Sequence, residues 1–360
     1  MPLLTEPSAV NSVYRFGSRV LQEKNLADAG AREGVIALAE DASRSLRLSL
    51  TAIILTYNEE LHIERCIRSL KPVASRLYVV DSFSTDATVE IARREGAEVI
   101  QRKFKNQADQ FQWALDNLPI DTDWVMRVDA DEYISTELAT SMTKLIPRAP
   151  ASVSGFYVDR LVVFLGRPIR HGGFYPMRVL KIWRTGLGRV EQRWIDEYCV
   201  VERGVVDYCP GDLIDENLRD LTWWTDKHNK YSSRRMIDLL DRELQLGLSQ
   251  HKLVGKMSRR QVIYHKIKTK IYPALPPYLR AFAYYLYRYV FRLGFLDGQQ
   301  GLVFCFLQAL WNLFLVDAKL YEARRMIAAM GVESFIKHLH DAHGLELGPL
   351  HLENESSRSA

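Results

Sequence analysis

One pattern fills residues 50–145 and restricts the fold more than anything else in the chain. A short, nearly unbroken apolar run is followed by a polar turn, then by apolar residues three and four positions apart. Residues 50–56 (LTAIILT) form the first run; 77–80 (LYVV), 98–101 and 124–128 (WVMRV) form the next three. Runs without alternation mark strands covered on both faces. The segments between them read as amphipathic helices. Ile63, Cys66, Ile67 and Leu70 share one face, Phe111, Ala114, Leu115 and Leu118 another, and Leu138, Met142 and Leu145 a third. Gly96 suits the position beyond a helix end, and Ser135 suits an N-cap. Strands alternating with helices build βαβ units, so the expected class is α/β, a mostly parallel sheet flanked by helices.

In such sheets, ligands bind beyond the carboxyl ends of the strands. The first strand ends in Thr56-Tyr57-Asn58-Glu59, the second in Asp81-Ser82, and the fourth in Asp129-Ala130-Asp131-Glu132. Taken singly, these are turn formers, helix caps or solvated carboxylates. Together they gather at one rim. Two carboxylates one residue apart after a buried strand suit a hard divalent cation, Mg²⁺ or Mn²⁺, shared with phosphate oxygens. The cluster has no G-x-x-x-x-G-K-[ST] and no G-x-G-x-x-G, which removes P-loop NTPases and dinucleotide-binding oxidoreductases.

The runs TAIILTYNEELHIERCIRSL, LYVVDSFSTDATVEIARREGAEVI and WVMRVDADEYIS, in this order, resemble family 2 glycosyltransferases of the GT-A-like (Rossmann-like) fold. The nearest branch builds bacterial lipopolysaccharide cores and exopolysaccharides. The resemblance covers about residues 48–240, and a second stretch, 285–325, resembles the C-terminal region of the same envelope enzymes. It implies that Thr56, Tyr57 and Glu59 line the nucleotide pocket of a nucleotide-sugar donor, a UDP-sugar, with the Tyr57 ring near the base. Asp81 would bond the base edge, and Gln107 and Gln110 would approach the nucleotide. Asp129-Ala130-Asp131 matches the D-x-D motif. Asp129 would face the ribose or a metal-bound water, and Asp131 would bind Mn²⁺ or Mg²⁺ bridging the diphosphate. His171, within Arg170-His171-Gly172-Gly173, would contact the acceptor or the donor sugar, and Arg178 the acceptor or the diphosphate. Lys227 and Tyr231 would approach the diphosphate.

An inverting transfer needs a general base beside the acceptor hydroxyl. Residues 190–201 (VEQRWIDEYCVV) supply Glu191, Asp196 and Glu197. The resembling enzymes usually carry His-Glu there; this chain has Asp196-Glu197. Glu197 keeps the carboxylate and is the expected base, with Asp196 as the alternate.

The net charge of +4 conceals an uneven distribution. Residues 251–296 hold ten Lys or Arg and no Asp or Glu, mixed with many Tyr and Phe. Such a mixture suits nucleic acid or an anionic membrane surface. The apolar run at 302–316 and the lipid-linked acceptors implied by the resemblance favour the membrane, contacted through 251–320, over nucleic acid. That run is short for a bilayer crossing. The expected organisation is an N-terminal extension (1–47), a glycosyltransferase domain (48–240), a helical basic and aromatic region (241–345) and a disordered tail (346–360). Four cysteines without C-x-x-C spacing fit a reducing cytoplasm, and the first fifteen residues lack signal-peptide character.

The expected function is therefore an inverting, metal-dependent glycosyltransferase. It would act on a lipid-linked or polysaccharide glycan acceptor, peripheral or monotopic at the cytoplasmic face of a bacterial inner membrane, possibly as a homo-oligomer. A nucleotidyltransferase would carry a Gly-rich basic loop where this chain has Tyr57-Asn58-Glu59-Glu60. A non-catalytic membrane-surface scaffold would have no use for carboxylates at every expected position.

Overall fold

The structure, a computed structural model, describes residues 48–190, 199–244 and 276–343. Strands β1 (Leu48–Thr56), β2 (Ala74–Asp81), β3 (Glu98–Gln101) and β4 (Trp124–Asp129) lie parallel in the order β3-β2-β1-β4. Helices α1 (Ile63–Leu70), α2 (Thr88–Arg94) and α3 (Gln107–Asn117) make the crossovers. The register sets Thr56 beside Asp81 and Leu55 beside Asp129. The three polar strand ends therefore do share one rim.

β1 shows why the run had to be apolar on both sides. Leu50, Ala52 and Ile54 enter a core with Ile63, Ile67, Leu138 and Met142. Ile53 and Leu55 enter a second core with Phe111 and Trp183 on the opposite face. Ile53 and Ile54 are fully buried, each contributing roughly 1.5–3 kcal/mol by removal from water. The Ser135 hydroxyl accepts from the amide of Leu138 at 3.1 Å and caps α4 (Thr136–Leu145). Gly96 adopts φ +80° just past α2. Leu145, expected on the buried face of α4, is instead exposed at the helix end.

The sheet flanked by helices is the expected α/β arrangement, parallel through β4 and mixed beyond it. The chain adds β5 (Glu132–Ile134), β6 (Val153–Phe164), β7 (Arg167–Pro168), β8 (Met177–Arg184), β9 (Gly188–Val190), β10 (Cys199–Val201) and β11 (Val205–Glu216). β8 lies antiparallel between β4 and β6, β11 runs parallel to β6, and β5 closes antiparallel on β11. No helix separates β6 from β8, and without a crossover two neighbouring strands pair antiparallel. Gly211 (φ +111°) lets β11 pass over α4; a Cβ there would lie 2.3 Å from the amide nitrogen of Leu138.

The C-terminal helices are α5 (Leu221–Leu244), α6 (Leu279–Leu286), α7 (Gly298–Cys305), α8 (Asn312–Met330) and α9 (Val332–His343). Met236, Ile237 and Leu240 of α5 pack with Leu320, Ala323, Phe335 and Leu339. Phe304 and Leu307 pack with Phe164 and Ile169 at the end of the sheet. The helical run Gly294–Met330 is long and apolar enough to cross a membrane by length and composition, yet 44 % of its most apolar window is buried against protein. Residues 1–47, 251–275 and 346–360 lie outside the described residues.

Candidate active site

The rim is tied together by the turn after β1. Asn58 adopts φ +55°, a left-handed conformation that Asn tolerates well. Its side-chain oxygen accepts from the amide of Thr85 at 2.8 Å, and its own amide donates to the Ser84 hydroxyl at 2.8 Å. Arg219 donates to the Asn58 carbonyl. The fully buried His62 accepts from the amide of Leu218 through Nε2 at 2.8 Å. Its proton therefore sits on Nδ1 and is donated to Glu59 at 2.5 Å. Glu59 is thus fastened into the loop wall, while the neighbouring Tyr57 ring is 57 % exposed and open to stacking. Thr56 is buried at the strand end, and its hydroxyl lacks a hydrogen-bond partner among the described residues.

Asp81 is fully buried. It accepts from the Ser84 amide and hydroxyl and from Gln101 Nε2 at 2.9 Å. Gln107 stands exposed at the start of α3. Gln110 is buried instead, bridging Arg102 and the Ser82 hydroxyl.

The two carboxylates after β4 have different surroundings. Burial alone would raise the Asp129 pKa. The charges of Lys181, Arg127, Arg160 and Lys227 outweigh that and hold it well below the usual carboxylate range. Lys181 Nζ lies 3.5 Å from Asp129 Oδ2 and 2.6 Å from Glu132 Oε2. Burial works against the Lys181 charge, but Asp129 and Glu132 overcome it and raise its pKa. Glu132 also accepts from the Asp129 amide at 3.0 Å, closing a loop that fixes the strand end. Asp131 is engaged through Oδ2, by Asn217 at 3.3 Å and by Lys227 Nζ at 3.7 Å. Its carbonyl accepts from the amide of Glu216.

This donor set fits a divalent cation shared with a ligand. Asp129 Oδ1 is buried without a hydrogen-bond partner among the described residues. No group of three or more His, Cys, Asp and Glu suited to hold a metal occurs among those residues. A cation here would complete its shell with phosphate oxygens and water, the usual habit of Mg²⁺.

The second half of the sheet faces the same region. On α5, Lys227 also sits over the Trp223 ring at 4.7 Å, and burial raises the Tyr231 pKa. Arg178 lies over the Tyr208 ring at 4.3 Å and 3.7 Å from Asp159, and is largely exposed. His171 meets the C-terminal helices: its amide and Nδ1 contact Asp297 at 2.8 and 2.7 Å. Gly172 donates to the Arg292 carbonyl and accepts from Arg288, both at 2.9 Å. Asp196 and Glu197, expected as alternate and base, lie outside the described residues, as does Glu191.

No role was assigned from the sequence to Glu132, Arg127, Arg160 or Lys181. Arg160 pairs with Asp215 and approaches Glu132 at 3.7 Å. The signal was present: Arg127, Arg160 and Lys181 sit within the largely apolar strands WVMRVD, VSGFYVDRLVVF and MRVLKIWR. Charges inside buried strands need partners, and each of these three reaches Asp129 or Glu132 of the strand-end cluster within 4 Å.

One family model and several known proteins resemble this chain. Residues 51–200 match the model of glycosyl transferase family 2. The lipopolysaccharide core biosynthesis glycosyltransferase LpsC of Rhizobium meliloti is 26 % identical over 306 residues, covering 81 % of this chain and 99 % of that protein. An uncharacterized glycosyltransferase of Rickettsia conorii is 40 % identical over 96 residues, 27 % of this chain and 33 % of that protein. The match thus spans about a third of the length of the Rickettsia relative. Among solved structures, mannosyl-3-phosphoglycerate synthase from Rubrobacter xylanophilus is 17 % identical, with a TM-score of 0.38 over 58 % of this chain and 79 % of that one.

Proposed function

We propose, from the match of residues 51–200 to the model of glycosyl transferase family 2, that the chain is an inverting, metal-dependent transferase that moves a sugar from a nucleoside diphosphate donor, a UDP-sugar, to a lipid-linked or lipopolysaccharide-type glycan at the cytoplasmic face of a bacterial inner membrane. One observation carries the reading. The carboxylates of Asp129 and Asp131 stand at the end of β4, beside the ends of β1 and β2, with Lys181 and Lys227 behind them.

A bound Mn²⁺ or Mg²⁺ would supply positive charge against the leaving diphosphate. Asp131 and Asp129 would hold it. Lys227, already 3.7 Å from Asp131, lies where its ammonium adds to that charge. The exposed Tyr57 ring would stack on the base, and the Thr56 hydroxyl and Asp81 would border it. Gln107, exposed at the start of α3, would approach the nucleotide. Glu197, or Asp196 in its place, would take the acceptor proton as the hydroxyl attacks the anomeric carbon. His171, Arg178 and Tyr231 would border the sugar and acceptor side. The full-length match to a lipopolysaccharide core enzyme supports the acceptor class.

The test is a thermal-shift panel of UDP, GDP, CDP and TDP with and without Mn²⁺. UDP should stabilise the protein only when Mn²⁺ is present, and Asp131→Asn should erase the Mn²⁺ dependence. A Mn²⁺-dependent shift retained in that variant refutes the assignment of Asp131. Glu197→Gln should keep the shift and lose transfer; retained transfer moves the base to Asp196.

A further inference from the structure

From Tyr278 to Phe314 the molecule turns an apolar surface outward. Every exposed position in this stretch is apolar or aromatic except Arg292 and Gln299. Leu279, Phe282, Leu286, Val290 and Leu293 follow helical spacing down one stripe, and Phe291 at its tip is 75 % exposed. The acids on this side are turned inward: Asp297 is buried against His171, and Asp317 is buried against Arg280. A groove of about 370 Å³ between Phe282, Phe306, Leu310 and Phe314 opens on the same face. Soluble monomers rarely leave so continuous an apolar area bare.

We propose that this face enters the outer part of an anionic lipid leaflet, monotopically, with the turn at Val290–Leu296 as its deepest point. Charge selects the occupant. The 251–275 sequence leading directly into this face carries seven Lys or Arg and no Asp or Glu, which matches a negatively charged partner. A second copy of this chain would carry the same excess of positive charge immediately before the same face in sequence. Burial of 44 % of the most apolar window of Gly294–Met330 against protein argues for lying in the interface and not crossing it. The inserted turn also grips the sheet. Arg292 accepts from Gly172 through its carbonyl, Arg288 donates to the Gly172 carbonyl, and Asp297 holds His171. Depth in the leaflet therefore sets the height of the 170–173 loop above the lipid surface, on the side proposed for the acceptor. This deepens the membrane-face part of the proposed function and rests on it.

The experiment is co-sedimentation of the full chain with phosphatidylcholine vesicles containing or lacking about 30 % phosphatidylglycerol. Wild type should bind the anionic vesicles at least about tenfold more tightly than the neutral ones. Phe291→Asp with Leu296→Asp should weaken binding by about tenfold or more while leaving the Mn²⁺-dependent UDP shift intact. Phe291→Trp should keep binding, and the emission of the introduced indole should move to shorter wavelength and be quenched by brominated lipid. Three results overturn the proposal: wild type that ignores vesicles, a double variant that binds like wild type, or an introduced indole whose emission stays that of a ring in water. So does a stable lipid-free dimer that the double variant converts to monomer. Loss of the UDP shift with vesicle binding intact would instead sink the donor reading alone.

Discussion

His228 offers the sharpest quantitative test of the packing between α5 and the C-terminal helices. Its ring stacks on Trp224 at 3.5 Å and meets Tyr231 edge-on. Nδ1 donates to the Trp224 carbonyl at 2.9 Å, and Nε2 accepts from Gln308 at 3.0 Å. Burial, followed by the neighbouring charge of Lys227, drives its pKa from 6.5 down to about 4, against an opposing effect of the Trp224 bond. The unfolded chain takes up this proton near pH 6.5, whereas the folded chain resists until about 4. Stability from the neutral ring is therefore complete above pH 6.5 and is lost as the pH falls towards 4. At about 1.4 kcal/mol per pH unit across that window, acidification from about pH 7.5 to about 5.0 should cost about 2 kcal/mol through this group. Urea unfolding of wild type and His228→Gln at both pH values isolates it, because other groups titrate equally in the two proteins. The acid-induced loss should be about 2 kcal/mol smaller in the variant. Equal losses, or a His228 imidazole that titrates near 6.5 by NMR, would refute the neutral, Gln308-bonded ring.

Other consequences can be measured separately. Lys181→Met should destabilise the fold by about 3–5 kcal/mol in chemical denaturation, because it strands Glu132 and Asp129 without their buried cation. Ser135→Ala should cost about 1–2 kcal/mol, since the hydroxyl caps α4 and also accepts from the Asp212 amide. Gly211→Ala should lower the melting temperature by more than that change, as the added methyl meets the Leu138 backbone. Ile53→Ala should cost about 2–5 kcal/mol by emptying a fully buried site.

The parallel half of the fold was legible because it is local. The starts at 98 and 124, the Ser135 cap and the glycine beyond α2 each follow from a few adjacent residues. The same locality made the D-x-D carboxylates stand out. The second half was harder to read because its partners are distant in sequence. Nothing near Lys181 shows that Glu132 will face it, and nothing near Asp131 shows Asn217 or Lys227. His171 illustrates the limit in another way. A histidine before two glycines suits a sugar contact, and only the packing of the C-terminal helices reveals Asp297 at its ring.

The strap across the D-x-D turn carries a consequence for biosynthesis. β5 follows that turn immediately, yet among the described residues its strand partner is β11, about eighty residues later. The Asp131 carbonyl waits for Glu216, and its carboxylate waits for Asn217 and Lys227. A nascent chain that has produced β1 to β4 and the turn after them therefore owns both carboxylates and Arg127, but neither β11 nor Lys181, Arg160 and Lys227. Closing that long loop is a slow, late event compared with forming the local βαβ units. A truncated or stalled product thus presents the parallel β1–β4 sheet with an unfinished D-x-D turn, which is completed once β11 and α5 emerge.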